Sequence, residues 1–199
     1  MSDNKPARSD RSDRASILQI HRFEPVSVAN GPGRRAVLWV QGCGLGCPGC
    51  FNPETHAFDA GERWAPSEAV ERVLAVNGIE GLTISGGEPA YQHRALVTML
   101  EELRSKSSLS VLVFSGLTWE ELQRVPGIER FLSQIDVLIA GRYDETRRIA
   151  GGLIGSSNKT VHYLTDRYTP EDLARVPQAE VILGPDGEIR LSGIDPLEW

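Results

Sequence analysis

Cys43, Cys47 and Cys50 stand within one short stretch of sequence, and the chain contains no other cysteine. Their spacing is C-x3-C-x2-C, inside Gln41-Gly-Cys43-Gly-Leu-Gly-Cys47-Pro-Gly-Cys50-Phe-Asn-Pro-Glu-Thr-His56. An odd number of cysteines cannot form a fully paired disulfide framework. Thiols gathered in one loop point to metal or cluster ligation rather than to scattered core positions. Thiolates hold iron–sulfur clusters, ordinarily four to a 4Fe-4S centre. Three would leave one iron without a protein ligand, and an open coordination position marks a reactive rather than a structural site. The interleaved glycines let the backbone curl around a bulky cluster and aim N–H groups at its sulfides. The same thiols with His56 would also make a Cys3His zinc site, so the loop by itself leaves both metals open.

The segments around the loop say how it is positioned. Ala36–Gln41 is a short apolar run that reads as a buried strand delivering the chain into the loop. Ile17–Val28 has β character, and Asn30-Gly-Pro-Gly33 between these two is a turn. Further strands are read at Gly81–Ser85, Leu109–Ser115, Ile135–Ala140 and Thr160–Leu164. Helices are read at Pro66–Val76, Tyr91–Ser105 and Pro170–Arg175. Thr118 with Glu121 forms a capping box for a helix over Trp119–Val125. Val181–Leu183 and Glu188–Leu191 flank Gly184-Pro-Asp-Gly187 as a hairpin. Apolar strands alternating with helices predict an α/β fold around a parallel sheet, and such sheets bind ligands at the carboxyl ends of their strands. The cysteine loop, Gly86–Pro89 and Gly141–Tyr143 all fall at such ends, which predicts a single site.

Composition narrows the class. At 199 residues the chain is one domain, with 40% hydrophobic and 24% charged residues, ordinary for a globular protein. A net charge of −6 argues against a nucleic-acid or anionic-membrane binder, which would carry a basic surplus. No apolar run approaches the ~20 residues of a membrane helix. The N-terminus is polar, without a secretory h-region, so a cytoplasmic location is expected. Residues 1–15, rich in Ser, Asp and Arg, read as a disordered tail before a domain over 16–199.

Five ordered motifs carry a resemblance. They are Asn30-Gly-Pro-Gly33, the cysteine loop with Pro48-Gly-Cys50-Phe-Asn52, Ser85-Gly-Gly-Glu-Pro89, Gly141-Arg-Tyr143, and Gly155-Ser-Ser-Asn158 followed by Val161-His162. In this order they resemble the radical S-adenosylmethionine superfamily, and within it the subfamily that activates the anaerobic, glycyl-radical ribonucleotide reductase. The resemblance implies a partial (β/α) barrel of mainly parallel strands. It implies a 4Fe-4S cluster on Cys43, Cys47 and Cys50 that binds S-adenosylmethionine at its open iron. Reductive cleavage would give methionine and a 5′-deoxyadenosyl radical, which takes a hydrogen atom from a glycine Cα of a partner enzyme. The electron would come from a low-potential donor such as flavodoxin or ferredoxin.

Within that resemblance, Gly86 and Gly87 let the backbone approach the ligand's ammonium, and Glu88 is an acceptor matched to its charge. Arg142 would pair with the methionine carboxylate. Ser156, Ser157 and Asn158 would contact the ligand or brace the bend they sit in. Phe51 and Asn52 would shape the pocket beside the cluster. Two features depart from the subfamily. Ala140 stands where an acidic side chain would be expected to engage the ligand, and a helix and hairpin extend the chain beyond about residue 166. That extension leaves open a radical enzyme of the same chemistry acting on a different peptide or small molecule. A Cys3His zinc-binding interaction protein is the alternative from another class.

Overall fold

The computed structural model describes residues 17–149, 153–184 and 186–194, so the N-terminal tail lies outside the described residues. Strand β1 (Leu18–Ser27) turns at Asn30–Gly33 into β2 (Arg35–Val40), every residue of which is buried. The two pair antiparallel, and β3 (Glu62–Trp64) pairs antiparallel with the other edge of β1. Parallel pairing then runs from β2 to β4 (Gly81–Gly86), from β4 to β5 (Ser110–Ser115) and from β5 to β6 (Val137–Ala140). β7 (Thr160–Tyr163) closes the row antiparallel to β6. The order is β3-β1-β2-β4-β5-β6-β7 in one seven-stranded sheet.

The α/β fold with a parallel centre agrees with the expectation, but the sheet is mixed rather than mainly parallel. Three of the six pairings are parallel, and among the described residues β3 and β7 remain as separate edges. The connections explain why. Parallel neighbours need a crossover, and α1 (Pro66–Leu74) and α2 (His93–Lys106) supply the crossovers into β4 and β5. The short helices α3 (Trp119–Leu122) and α4 (Ile128–Leu132) supply the one into β6. Between β6 and β7 the described backbone holds only a single helical turn at Glu145–Arg147, and the chain returns antiparallel. Strand β3 and helix α4 were not read from the sequence.

Alternation along the strands makes two different faces. Leu38, Leu82, Ile84, Val113 and Leu138 point to one face and pack against Val70, Val73, Leu96, Leu100 and Phe131 of the helices. Each such side chain contributes about 1.5–3 kcal/mol on burial, so this layer is the main core. The opposite face has its own apolar cluster at the β5–β6 end, where Leu112, Val137 and Ile139 meet Leu153, Leu173 and Val176. Toward β2 and β4 it carries Trp39, Thr83 and Ser85, of which Trp39 and Ser85 line a cavity. After β7, helix α5 (Pro170–Ala174) leads to a two-stranded antiparallel sheet, β8 (Ala179–Leu183) and β9 (Ile189–Gly193). Tyr168 anchors this extension. Its hydroxyl lies 3.1 Å from buried Arg35 Nη1 and 2.7 Å from Ser110 Oγ.

Candidate functional site

The cysteine loop leaves the carboxyl end of β2 and is closed at its base by backbone bonds. Gly42 N–H donates to Thr55 O at 2.8 Å, and Cys43 N–H to His56 O at 3.2 Å. Gln41 clamps the returning limb, its Nε2 donating to Glu54 O at 3.1 Å and Ala57 O at 2.8 Å. At the tip, Cys50 N–H reaches Cys47 O at 3.3 Å. The three thiols are free, half-buried, and line one cavity of about 310 Å³. Burial pushes the Cys43 and Cys50 thiols up, so loading a metal centre must displace protons there.

The turn after β4 forms the next wall. Gly86 has φ +95°, and a Cβ there would stand 2.6 Å from Val40 O. A Cβ on Gly87 would meet Gly42 O at 2.5 Å, and Glu88 N–H donates to that same carbonyl at 3.0 Å. The glycine pair is therefore what lets the β4 turn and the base of the cysteine loop touch. Glu88 is fully buried. Its carboxylate accepts from Ala90 N–H at 2.9 Å, Ser115 Oγ–H at 2.9 Å and Gly116 N–H at 2.7 Å. Burial raises its pKa, opposed by these donors. Glu88 thus ties the end of β4 to the end of β5 while still lining the cavity.

The structure brings together Cys43, Cys47, Cys50, Gly86, Gly87 and Glu88, with Phe51 and Asn52 beside them. It does not bring Arg142, Ser156, Ser157 or Asn158 to that wall. Arg142 Nη1 is ion-paired with Glu121 Oε2 at 2.6 Å, because the capping box at Thr118 holds Glu121 in its path. Ser156 is buried and accepts from Asp144 N–H at 3.3 Å, Ser157 is exposed, and Asn158 Nδ2 donates to Arg142 O at 2.8 Å. These three brace the excursion between β6 and β7. Ala140 is buried in the helix-side core and is not among the residues that line the cavity. The residues flanking the serine motif, Gly155 and Lys159, do line the cavity. Lys159 was missed. Burial pushes its ammonium down, while Cys47, Cys50 and Glu88 favour its charge. The hairpin residues Leu191, Ser192, Gly193 and Ile194 form a further wall that the sequence did not reveal.

The donor set distinguishes the two metals. His56 is not part of the cavity, and its Nε2 is buried without a partner. Among the described residues no three His, Cys, Asp or Glu side chains converge on one ion. Tetrahedral zinc would draw its sulfurs to within about 3.8 Å of one another. Thiolates on a cubane each hold a different iron, which suits three half-buried thiols that line one cavity without the histidine. The residues fit the cluster, and the Cys3His set is not assembled. A larger cavity of about 790 Å³ opens beside Phe58 and Tyr91 on the other side of the loop, but it contains none of the cysteines.

Known proteins agree with this chemistry. The anaerobic ribonucleoside-triphosphate reductase-activating protein of Escherichia coli (strain K12) is 26% identical over 155 residues, covering 74% of this chain and 99% of that protein. The protein of the same description from Vibrio cholerae serotype O1 is 29% identical over 157 residues, covering 74% and 99%. That from Enterobacteria phage T4 is 29% identical over 154 residues, covering 75% and 96%. The model of the family described as a 4Fe-4S single cluster domain matches residues 29–162, which takes in the cysteine loop, the glycine turn and the strands that carry them. With two thirds of its length inside that match, the chain belongs to the 4Fe-4S single cluster domain family.

Proposed function

We propose that this chain is a radical S-adenosylmethionine enzyme, an oxidoreductase that installs a glycyl radical on a partner such as anaerobic ribonucleoside-triphosphate reductase. The observation that carries the reading is the meeting of three thiols and the Gly86-Gly87-Glu88 turn on one cavity at the carboxyl ends of neighbouring parallel strands. Bound there, a 4Fe-4S cluster and S-adenosylmethionine would supply reductive carbon–sulfur cleavage and hydrogen abstraction. Cys43, Cys47 and Cys50 hold the cluster. The backbone at Gly86 and Gly87 would face the ammonium of the methionine moiety, with Glu88 keeping that backbone in place. Lys159 takes the role first assigned to Arg142, because its ammonium forms no hydrogen bond or ion pair with described residues and faces the same cavity. Trp39, Phe114 and Tyr143 supply apolar wall that keeps water from the reacting atoms.

On this reading the open sheet is an incomplete barrel of the superfamily type. A low-potential flavodoxin or ferredoxin delivers the electron, and the enzyme works in the reducing cytoplasm. Reconstituting the protein anaerobically and mixing it with its reductase partner, S-adenosylmethionine and a reductant should give the doublet spectrum of a glycyl radical. Deuterium on the target glycine should appear in 5′-deoxyadenosine. Cofactor cleavage without deuterium transfer from any glycine would assign the same chemistry to a different substrate.

A further inference from the structure

The hairpin β8–β9 lies beyond residue 162, where the family match ends, yet it walls the cluster cavity. It is mounted with its polar side inward. Glu180 accepts from Ser27 Oγ–H and from Val28 N–H at 2.9 Å. Ser192 Oγ accepts from Asn30 Nδ2 at 2.7 Å, and Arg190 Nη2 donates to Glu24 Oε2 at 3.0 Å. Residues opposite one another, and residues two apart, share a face of a β-ribbon. The register Val181↔Leu191 and Leu183↔Ile189 therefore puts four aliphatic side chains together on the other side. Leu183 is 72% exposed, Ile189 62% and Val181 44%, whereas Leu191 lines the cavity. The charged residues of the two strands, Glu180 and Arg190, belong to the opposite face, so the four side chains on this one carry no charge.

A two-stranded ribbon is marginal in water unless its apolar face is covered, and polar anchoring keeps this one from turning that face inward. The patch and the cavity share Leu191, so whatever lies on the patch runs into the cavity. We propose that the apolar face of the hairpin docks an extended, apolar segment of the partner protein, which crosses Leu183, Ile189 and Val181 and enters the cavity beside Leu191. This deepens the function proposed above and rests on it. It identifies the substrate as a polypeptide strand with uncharged flanks rather than a small molecule, and it gives the C-terminal extension the task of selecting that strand.

The test is binding of the full chain to an array of nine-residue peptides, each with a central glycine and with flanks that are apolar, acidic or basic. Peptides with apolar flanks should be retained, and Leu183→Asp/Ile189→Asp should reduce retention at least tenfold. Both side chains are exposed but face each other across the ribbon, so Leu183→Ala/Ile189→Ala, which brings no opposed charges, is the control for folding and should give a smaller loss in the same direction. Iron content and 5′-deoxyadenosine formation should match the wild type in both variants. Those two readouts fail if the cofactor reading is wrong, whereas peptide retention does not depend on the cluster. The proposal is overturned if no peptide is retained, if charged flanks serve as well, or if the aspartate variant binds like the wild type. It is also overturned if the wild type is a dimer that the aspartate variant splits, which would make the face a contact between copies. Retention seen only after residues 195–199 are deleted would equally overturn it, by assigning the face to the chain's own C-terminus.

Discussion

Gly87 and Lys159 are the residues whose roles the structure changes most. On chemistry alone, Gly87 is a place where backbone approaches a ligand. In the fold its missing Cβ makes room for Gly42 O, so a side chain there pushes on the base of the cysteine loop. Gly87→Ala should therefore lower the iron bound after anaerobic reconstitution as well as weaken S-adenosylmethionine binding. Full iron content with weakened cofactor binding would return the residue to a ligand-contact role. Lys159 gives the complementary case. Lys159→Met keeps most of the stem and removes the charge, so the cluster should assemble while S-adenosylmethionine affinity falls at least tenfold, as the loss of one charge-assisted contact of ~1.5–3 kcal/mol implies. Titration of the cofactor against the cluster spectrum reads this directly, and an unchanged affinity would leave the methionine carboxylate to another group. Lys159 was not legible because a lone lysine after Gly155-Ser-Ser-Asn158 carries no local signal, and only the return of β7 beside β6 brings it to the thiols. Arg142 lies off the cavity wall for the converse reason: its partner Glu121 is held on a different element.

The parallel strands are tied together by buried carboxylates at both ends. Glu88 joins β4 to β5 at the site, and Asp136 joins β5 to β6 at the opposite end. Asp136 Oδ2 accepts from Val111 N–H at 2.7 Å and from Arg104 Nη2 at 2.9 Å, and Oδ1 accepts from Thr165 Oγ1–H at 2.9 Å. Burial acts to raise its pKa, but these donors outweigh it and the net shift is downward. The folded state thus holds the proton less tightly than the unfolded chain, so this stabilisation is complete above the ordinary aspartate range. It is lost as the pH falls below about 4. Asp136→Asn should lower stability at neutral pH by ~1.5–3 kcal/mol and flatten the acid limb of the unfolding curve, measured by denaturant titration at several pH values. β6 also bears on the question raised by Ala140. Because Ala140 is buried in the helix-side core, Ala140→Asp places a carboxylate in an apolar cluster. It should cost ~3–5 kcal/mol in thermal unfolding experiments without tightening the cofactor.

At the scale of the whole molecule, strands such as Ala36–Gln41 and Leu109–Ser115 were legible because continuous burial leaves a continuous apolar run. The cysteine loop was legible because its chemistry is local. Strand direction was not, since an apolar run looks the same parallel or antiparallel, and the reversal of β7 depends on a connection without a crossover helix. β3 escaped notice because Trp64 is its single apolar residue. The hairpin was seen, but not its attachment, which rests on Glu24, Ser27 and Asn30, more than 150 residues earlier in the chain. The central claim is that three thiols on one loop assemble a redox cluster that splits S-adenosylmethionine in the cavity they share with Gly86 and Gly87. Its most direct test is the 5′-deoxyadenosine formed when the anaerobically reconstituted, chemically reduced protein is given S-adenosylmethionine, alongside the Cys43→Ala/Cys47→Ala/Cys50→Ala variant. The wild type should bind about four irons and form 5′-deoxyadenosine together with methionine, and the variant should do neither. Wild-type protein that carries stoichiometric zinc and no iron, or that bears the cluster and leaves S-adenosylmethionine intact, would contradict the account.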